Sequence, residues 1–217
     1  MNIEQARFNM IEQQIRPWEV LDPSVLELLA VVKREDFVPP AYKALAFVDT
    51  EVPLPNGQSM LAPKVEARLL QEVAVQRHER VLEIGAGSGY MAALLAHKAQ
   101  HVTTLEIDPE LARLAAENLR RAWISNVTVL EADGSRVVPD DGPFDVIMLS
   151  GSVAEVPGNL LAQLKPGGRL TGIVGQLPIM RAVLVARSGE QGFATVELFD
   201  TVAPRLKGFG EPPRFVF

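Results

Sequence analysis

A glycine-rich loop that follows a short apolar run constrains the fold of this chain more than any other feature. The segment VLEIGAGSGY covers residues 81–90 and leads from four residues suited to a buried strand through three glycines into a helix. Glycine adopts backbone angles that are closed to other residues, and it lets a ligand approach the main chain. A strand, a tight turn and a helix in this order are typical of a nucleotide-cofactor loop in an α/β fold.

The spacing of the glycines distinguishes between classes of cofactor. Gly85, Gly87 and Gly89 form the pattern G-x-G-x-G, whereas a dinucleotide loop has its third glycine at the position of Tyr90. Glu83 adds a carboxylate close to the loop, and this charge would repel a phosphate but attract an ammonium or sulfonium group. The loop is therefore predicted to bind S-adenosylmethionine rather than a diphosphate.

Acidic residues also occur at the ends of the next two predicted strands. Glu106 lies at the end of the strand 101–107, where a carboxylate can accept both hydroxyls of a ribose. Asp133 follows the next strand and can accept a hydrogen bond from an adenine amino group. Each residue has a simpler interpretation as a helix cap or a solvated carboxylate. Three strand ends that converge on one nucleoside nevertheless favour the cofactor.

Alternating strands and helices predict an α/β fold with a mostly parallel sheet and right-handed crossovers. An antiparallel hairpin around Ser188 and Gly189 is expected to complete this sheet near the C-terminus. The predicted strands are Arg80–Ile84, 101–107, Val127–Glu131, 144–150, 169–174, 182–187 and 193–199, with a turn over residues 165–168. The predicted helices of this region are 91–98 and Pro109–Arg121, the latter with Asp108 as its N-cap.

The first 50 residues predict a helical extension that packs on the main domain, which is assigned to residues 51–217. Pro17 and Pro23 separate two short amphipathic helices in this extension, and a proline-containing connector leads to the sheet. The apolar positions that define the two helices are Ile11, Ile15, Val25, Leu26, Leu28 and Leu29.

Composition narrows the range of functions. The chain has 217 residues, of which 47% are hydrophobic, and a formal net charge of -6 argues against binding nucleic acid. It contains no cysteine, and its three histidines show no metal-ligand spacing, so no metal is predicted. No run approaches the roughly twenty apolar residues of a membrane helix, and the first residues lack a secretory signal. A cytoplasmic enzyme, with a monomer favoured, is therefore expected.

Several segments resemble the protein-L-isoaspartate (D-aspartate) O-methyltransferase family, within the S-adenosylmethionine-dependent methyltransferases. The glycine loop and LKPGGRL are shared widely among methyltransferases, whereas the REDFVP element and the segment around Gly57 and Gln58 are more particular to this family. The segments are REDFVPPAY (34–42), LPNGQSMLAP (54–63), VLEIGAGSGY (81–90), FDVIML (144–149) and LKPGGRL (164–170).

This resemblance implies a class I methyltransferase sheet of about seven strands and an enzyme that methylates isoaspartyl residues in damaged proteins or peptides. S-adenosyl-L-methionine is the implied cofactor. By matching position, cofactor contacts are expected at Gly85, Ala86, Gly87, Glu106, Asp133 and Gly134, and Glu83 and Ile107 complete the predicted set.

One departure from the family concerns its catalytic segment, which typically reads threonine, isoleucine, serine. This chain has Ser59, Met60 and Leu61 there, so a leucine stands where the resemblance implies a catalytic hydroxyl. Ser59 is predicted to supply a hydroxyl instead. The alternatives are a methyltransferase with a different acceptor, or a noncatalytic module that binds the cofactor as a sensor or for partner control.

The chemistry of the acceptor limits what this departure removes. A carboxylate with an ordinary pKa of about 4 is ionised at neutral pH, so its methylation needs placement rather than a general base. Loss of one hydrogen bond to a charged group costs about 1.5 to 3 kcal/mol, or one to two decades in rate. Leu61→Ser is therefore expected to raise methylation of an isoaspartyl peptide.

Overall fold

A seven-stranded sheet forms the centre of the protein, whose computed structural model describes residues 2–137, 139–189 and 192–210. The end of the predicted main domain, residues 211–217, lies outside the described residues. In chain order the strands are β1 (Val52–Pro53), β2 (Ser59–Met60), β3 (Arg80–Ile84), β4 (His101–Glu106), β5 (Val127–Glu131), β6 (Phe144–Val153), β7 (Leu164–Gln176), β8 (Ile179–Ser188) and β9 (Gly192–Thr201). The α-helices are α1 (Ile3–Met10), α2 (Pro23–Val31), α3 (Pro63–Val73), α4 (Tyr90–Lys98), α5 (Pro109–Arg121) and α6 (Gly158–Leu161).

The strands lie across the sheet in the order β5-β4-β3-β6-β7-β8-β9. Neighbours from β5 to β7 are parallel, whereas β8 and β9 are each antiparallel to the strand before them. The predicted mostly parallel sheet with a C-terminal antiparallel hairpin is confirmed. From β3 the chain continues to β4 and β5 and then returns to β6 on the other side of β3. Sheets of this kind bind ligands in the crevice beside such a reversal, at the carboxyl ends of the strands.

The helix α5 begins where the sequence predicts. Asp108 Oδ1 accepts hydrogen bonds from the main-chain N–H groups of Glu110 and Leu111, at 2.9 and 3.3 Å, and Pro109 occupies the first turn. This cap satisfies two donors that have no partner inside the helix. It also holds the end of β4, two residues upstream, in a defined position beside the sheet crevice.

The strand β7 starts five residues earlier than predicted, because the predicted turn 165–168 lies within it. Leu164 pairs with Phe144 and Arg169 pairs with Val146, so four residues of β7 lie opposite one residue of β6. Gly168 allows this irregularity, since an added Cβ would lie only 2.9 Å from the carbonyl oxygen of Asp145. The turn residues therefore form a bulge that interrupts the strand without ending it.

The proline-containing connector that the sequence predicts between residue 43 and β3 contains a helix that was not predicted. The helix α3 occupies Pro63–Val73, with Pro63 in its first turn and Ala74 in the left-handed conformation (φ 46°) at its end. A proline at the start of a helix removes only an N–H that has no intrahelical partner. The prolines of this region therefore mark the beginning of a helix, and Val65, Leu69 and Leu70 bury its apolar face.

Two hydrophobic cores lie on opposite faces of the sheet, because successive strand residues point to alternate sides. Val81 belongs to a core that also contains Ile15 and Leu29 from the N-terminal region, whereas Leu82 belongs to the core around α6. Residues of the N-terminal helices thus belong to the core on one face of the sheet. The hydrophobic core crosses residue 50 without interruption, and the predicted boundary between two units there stays a prediction.

Within the described residues, no helix combines the length and the apolar character that a membrane crossing requires.

Candidate functional site

A cavity of about 50 Å³ lies at the carboxyl ends of the parallel strands, beside the reversal of strand order. The glycine loop after β3 and the ends of β4, β5 and β6 form one side of it, and the segments 54–59 and 204–207 form the other. The lining residues are Leu54, Gln58, Ser59, Ile84, Gly85, Gly87, Leu105, Glu106, Ile107, Leu111, Ala132, Gly134, Ser150, Gly151, Pro204, Arg205, Leu206 and Lys207.

The glycine loop needs glycine for its conformation and for its close contacts. Gly85 and Gly89 have φ angles of 92° and 83°, which other residues rarely adopt. An added Cβ at Gly85 would lie 2.7 Å from Leu206 Cδ2, and one at Gly89 would lie 3.2 Å from the backbone of Ala115 in α5. Of the predicted contact residues in this loop, Gly85 and Gly87 line the cavity, whereas Ala86 is buried outside it.

Glu106 joins the end of β4 to the glycine loop. Its Oε2 accepts the main-chain N–H of Gly87 at 2.9 Å, and its Oε1 accepts the N–H of Asp108 at 3.0 Å. A carboxylate offers about four lone-pair positions. Each oxygen of Glu106 therefore keeps capacity for one further donor, and both Glu106 and its neighbour Ile107 line the cavity.

Glu83 lies beneath the cavity and has no exposed surface. Its Oε2 accepts from Thr104 Oγ1 at 2.7 Å, and its Oε1 accepts from Ser150 Oγ at 2.6 Å. Burial raises the pKa of the Glu83 carboxyl to about 7, although hydrogen bonds from Ser150 and Thr104 oppose this shift. Glu83 does not line the cavity itself, whereas its partner Ser150 does, and a contact between Glu83 and the cofactor stays a prediction.

Asp133 and Gly134 lie beyond the end of β5, and the structure separates their environments. Gly134 lines the cavity, but Asp133 does not. Asp133 Oδ1 accepts from the N–H and the Oγ of Ser135 at 2.9 and 2.6 Å, which is the bonding of a turn-forming aspartate. Gly208 packs against the same carboxylate, since an added Cβ there would overlap Oδ1. A contact between Asp133 and adenine stays a prediction.

Ser59 lines the cavity from the short strand β2, and Leu61 does not. Ser59 Oγ donates to Glu51 Oε2 at 2.9 Å. Leu61 is 5% exposed and belongs to the hydrophobic core, while its carbonyl oxygen accepts from Arg34 Nη2 at 2.6 Å. The buried Arg34 thereby holds the chain immediately after β2.

A buried ion pair supports this anchor. Arg34 Nε lies 3.2 Å from Glu66 Oε2, and both side chains are at most 5% exposed. Burial raises the pKa of the Glu66 carboxyl to about 7, while the charge of Arg34 and its hydrogen bond act in the opposite direction. The first turn of α3 and the end of β2 are thus tied to the same guanidinium group.

The end of β6 forms a part of the cavity wall that the sequence predictions missed. Ser150 and Gly151 lie in an irregular part of β6, where three residues fall between the pairs Met148–Thr171 and Ser152–Ile173. The strand end beside β3 is the signal that would have indicated them, because the reversal of strand order places that end at the crevice.

The segment 203–207 returns from β9 and crosses the end of β6. Ser152 N donates to the carbonyl of Pro204 at 2.7 Å, Leu206 N donates to the carbonyl of Ser152 at 2.9 Å, and Ser152 Oγ donates to the carbonyl of Ala203 at 2.9 Å. This contact joins residues about fifty positions apart in the chain.

The described residues provide no arrangement of three or more histidine, aspartate or glutamate side chains that could hold a metal ion. The chemistry of the cavity therefore has to be judged from its main-chain groups, its carboxylates and its cations.

The sheet order, the glycine loop after β3 and the acidic end of β4 define a class I methyltransferase fold. A beta-aspartate methyltransferase (PCMT) from Plasmodium falciparum, solved in complex with S-adenosyl-L-homocysteine, matches with a TM-score of 0.81. That match covers 93% of this chain and 98% of the other at 22% identity. A second solved structure, a protein-L-isoaspartate O-methyltransferase, has a TM-score of 0.80 at 24% identity and covers 95% of this chain and 66% of its own. The structural likeness establishes the fold.

The chain belongs to the protein-L-isoaspartate(D-aspartate) O-methyltransferase (PCMT) family, whose model matches residues 5–200. The protein-L-isoaspartate O-methyltransferase of Paracoccus denitrificans is 37% identical over 198 residues, which are 91% of this chain and 92% of that protein. The enzyme of that name from Myxococcus xanthus is 44% identical over 156 residues, covering 72% and 74% of the two chains. The resemblance inferred from the motifs is confirmed.

Proposed function

We propose that this protein transfers a methyl group from S-adenosyl-L-methionine to the carboxyl group of isoaspartyl residues in damaged proteins or peptides, as a step of protein repair. The observation that carries this proposal is the match to relatives of that name along nine-tenths of the chain. The cavity at the reversal of strand order agrees with it, because class I sheets of this kind bind nucleoside cofactors there.

The residues around the cavity suit an adenosyl donor. Gly85 and Gly87 expose main chain that no Cβ covers, and each oxygen of Glu106 retains capacity for a ribose hydroxyl. Ile107 and Gly134 offer an apolar edge and a bare main chain beside it. When bound, S-adenosylmethionine supplies an electrophilic methyl group on a sulfonium centre.

The cavity is smaller than the proposed cofactor requires, so side chains on its wall have to move when the cofactor binds. About 50 Å³ is far below the roughly 300 Å³ at which small-molecule pockets begin. The atoms nearest to a Cβ added at Gly85 or Gly87 are the ends of two flexible side chains, Leu206 Cδ2 and Leu54 Cδ1. We therefore expect rotation of these two side chains to open the space above Gly85 and Gly87 when the cofactor binds.

The acceptor requires placement and no base. A carboxylate with an ordinary pKa of about 4 is already ionised at neutral pH, and the protein has to hold it about 3 to 3.5 Å from the methyl carbon. Ser59 and Gln58 line the cavity on the side of β2, opposite the strand ends, and we assign the acceptor to that side. Leu61 contributes no hydroxyl, so the proposed activity depends on other donors.

Incubation of the purified protein with methyl-labelled S-adenosylmethionine tests the proposal. An isoaspartyl peptide is expected to gain a base-labile methyl ester, whereas the same peptide with a normal aspartyl linkage is expected to gain none. Binding of S-adenosyl-L-homocysteine without transfer to the isoaspartyl peptide would indicate a different acceptor or a noncatalytic binding module. Absence of any binding by the folded protein would contradict the proposal as a whole.

The proposal also includes a cytoplasmic location, a monomeric state and a peptide or protein substrate in place of nucleic acid. The net charge of -6 supports the last point, because nucleic-acid binding relies on neutralisation of phosphates by cations. Light scattering of the purified protein measures the oligomeric state directly.

A further inference from the structure

A short hairpin, residues 52–60, forms one wall of the cavity and is not part of the seven-stranded sheet. Its strands β1 and β2 are antiparallel, and the loop 54–58 joins them. Leu54 N donates to the carbonyl oxygen of Gln58 at 2.8 Å, which closes this loop. Both residues line the cavity, and Leu54 Cδ1 would lie 3.3 Å from a Cβ added at Gly87. The position of the hairpin therefore determines the shape of this wall.

One side chain ties the tip of the hairpin to the first turn of α5. Asn56 Nδ2 donates to Asp108 Oδ2 at 2.9 Å and to Glu110 Oε2 at 3.1 Å. An amide nitrogen carries two hydrogens, so this one group serves both carboxylates. Asn56 has a φ of 59°, and asparagine adopts this left-handed conformation more readily than most other residues. Asparagine thus suits this position both in its backbone and in its donor group.

The aspartate that Asn56 contacts also connects the hairpin to the predicted ribose site. Asp108 N donates to Glu106 Oε1 at 3.0 Å, while Asp108 Oδ1 caps α5. Partial desolvation opposes ionisation of Asp108, but hydrogen bonds from Asn56 and from the N–H groups of α5 lower the pKa of Asp108 below its ordinary value. Asp108 is therefore ionised at neutral pH, and it links the tip of the hairpin to Glu106.

The contact depends on a donor and not on shape alone. A carboxylate at position 56 would have nearly the same shape as the amide, but it would carry no hydrogen. It would also stand within hydrogen-bond distance of the carboxylates of Asp108 and Glu110, where like charges repel. A single change of charge therefore converts this contact from attraction to repulsion.

We propose that Asn56 is a positioning residue for the cofactor, because it holds the hairpin 52–60 against the start of α5 and so keeps this wall beside the adenosyl group. Asn56 itself does not line the cavity, so it acts through Leu54 and Gln58. A hairpin that has lost this contact has to be ordered each time the cofactor binds, which weakens binding. The inference rests on the proposed binding of S-adenosylmethionine and is independent of the identity of the acceptor.

Calorimetric titration of S-adenosyl-L-homocysteine into Asn56→Gly and Asn56→Asp tests the proposal. Glycine keeps the left-handed conformation and removes the amide, and we expect the Kd to rise about five- to tenfold. Aspartate faces two carboxylates, and we expect a rise of about 10- to 50-fold. An increase in NaCl from about 0.1 to about 1 M shortens the Debye length from about 10 to about 3 Å. This increase is expected to bring the Kd of Asn56→Asp to within about twofold of that of Asn56→Gly.

Hydrogen exchange of the ligand-free protein gives a second readout. The N–H groups of Leu54 and Gln58 are hydrogen-bonded inside the hairpin, and we expect both to exchange faster in Asn56→Gly and Asn56→Asp than in the wild type. Asn56→Asp combined with Glu110→Gln restores a donor and an acceptor in exchanged positions. We expect this double variant to recover slow exchange and to bind S-adenosyl-L-homocysteine at least about threefold more tightly than Asn56→Asp.

The matched control is Asn126→Asp, which makes the same chemical change at the opposite end of the parallel strands. Asn126 Nδ2 donates to the carbonyl oxygens of Ala96 and Ala99 at 2.9 and 3.3 Å, and Asn126 does not line the cavity. This variant also loses an asparagine contact between two parts of the chain. Its affinity for S-adenosyl-L-homocysteine is nevertheless expected to stay within about twofold of the wild type, because the hairpin keeps its contact with α5.

The possible failures are distinguishable. A folded wild type that binds no S-adenosyl-L-homocysteine overturns the proposed function and this inference together. Wild-type binding with Kd values of Asn56→Gly and Asn56→Asp equal to that of Asn126→Asp overturns this inference alone. Weaker binding without faster exchange of the hairpin amides also overturns it, because the hairpin would then still be ordered. Asn56 and Glu110 are exposed, so these variants are expected to fold, and circular dichroism checks this.

Discussion

Ser150 Oγ donates a 2.6 Å hydrogen bond to Glu83 Oε1 and so connects a fully enclosed carboxylate to the wall of the cavity. Burial raises the pKa of Glu83 from 4.5 to about 7. The folded state therefore binds the proton more tightly than the unfolded state. The stability that this proton provides is present below about pH 4.5 and is lost as the pH rises to about 7.

Glu83→Gln is expected to reduce this pH dependence, because glutamine imitates the neutral acid. The free energy of unfolding of the variant, relative to the wild type, is expected to rise by about 2 kcal/mol between pH 5 and pH 8. Ser150→Ala is expected to increase this pH dependence instead. It removes a hydrogen-bond donor to the ionised carboxylate, so it lowers the free energy of unfolding more at pH 8 than at pH 5. Urea denaturation at pH 5 and pH 8 measures the free energy of unfolding of the wild type and both variants. An equal change between the two pH values in all three proteins would contradict the raised pKa of Glu83.

Glu106→Gln is expected to weaken binding of S-adenosyl-L-homocysteine about 10- to 100-fold, as a charged acceptor of hydrogen bonds is lost. The matched control is Glu131→Gln, because Glu131 pairs with Glu106 at the same register position on β5 but does not line the cavity. Calorimetric titration gives both dissociation constants. Equal affinities for the two variants would show that Glu106 does not hold the ribose.

Much of the fold could be predicted from local sequence patterns. The strand Arg80–Ile84 has apolar residues on both faces of a parallel sheet, at Val81, Leu82 and Ile84, and Pro109–Arg121 has its cap and proline at the expected positions. The helix Pro63–Val73 was missed, since its proline was interpreted as part of a connector. The bulge at residues 165–168 was predicted as a turn, because its composition is that of a turn and only pairing with β6 makes it part of a strand.

The site was predictable where it follows a strand and unpredictable where it depends on distant contacts. Gly85, Gly87 and Glu106 follow the strands β3 and β4 and line the cavity as the spacing indicates. Glu83 points beneath the loop, and this follows from its contacts with Thr104 and Ser150 on neighbouring strands. Contacts of this kind depend on the order of strands in the sheet, which periodicity along the chain does not contain.

Gly85→Ala is expected to weaken binding of S-adenosyl-L-homocysteine at least tenfold. Its φ of 92° is strained for alanine, and the added Cβ would lie 2.7 Å from Leu206 Cδ2 and occupy the space above the loop. Gly189→Ala is the matched control, because Gly189 has a φ of 75° in the β8–β9 turn and nothing within 4 Å of an added Cβ. Both variants are expected to lose about 1 to 2 kcal/mol of stability. Equal ligand affinity in both would place the ligand elsewhere.

Leu206→Ala is expected to strengthen binding of S-adenosyl-L-homocysteine about two- to tenfold. The leucine side chain lies against both Gly85 and Gly151, and moving it from its present position costs about 0.5 to 1.5 kcal/mol, which the alanine variant avoids. Calorimetry of the variant and the wild type tests this expectation. Weaker binding by Leu206→Ala would instead indicate that the leucine side chain contacts the bound ligand.

Leu61→Ser is expected to raise turnover of an isoaspartyl peptide by one to two decades per folded molecule, if the hydroxyl reaches the acceptor as the resemblance implies. The substitution is also expected to lower the stability of the protein, because Leu61 is 5% exposed and belongs to the hydrophobic core. Removal of such a side chain destabilises a protein by about 2 to 5 kcal/mol. Leu61→Ala is therefore the necessary control, since it leaves a similar cavity without a hydroxyl.

Both variants are to be assayed at a temperature at which circular dichroism shows them folded. Higher turnover of the serine variant than of the wild type, with no gain in the alanine variant, isolates the contribution of the hydroxyl. Equal turnover of Leu61→Ser and Leu61→Ala would show that position 61 does not contact the acceptor. In that case other donors on the cavity wall have to hold the acceptor carboxylate without a hydroxyl from this position.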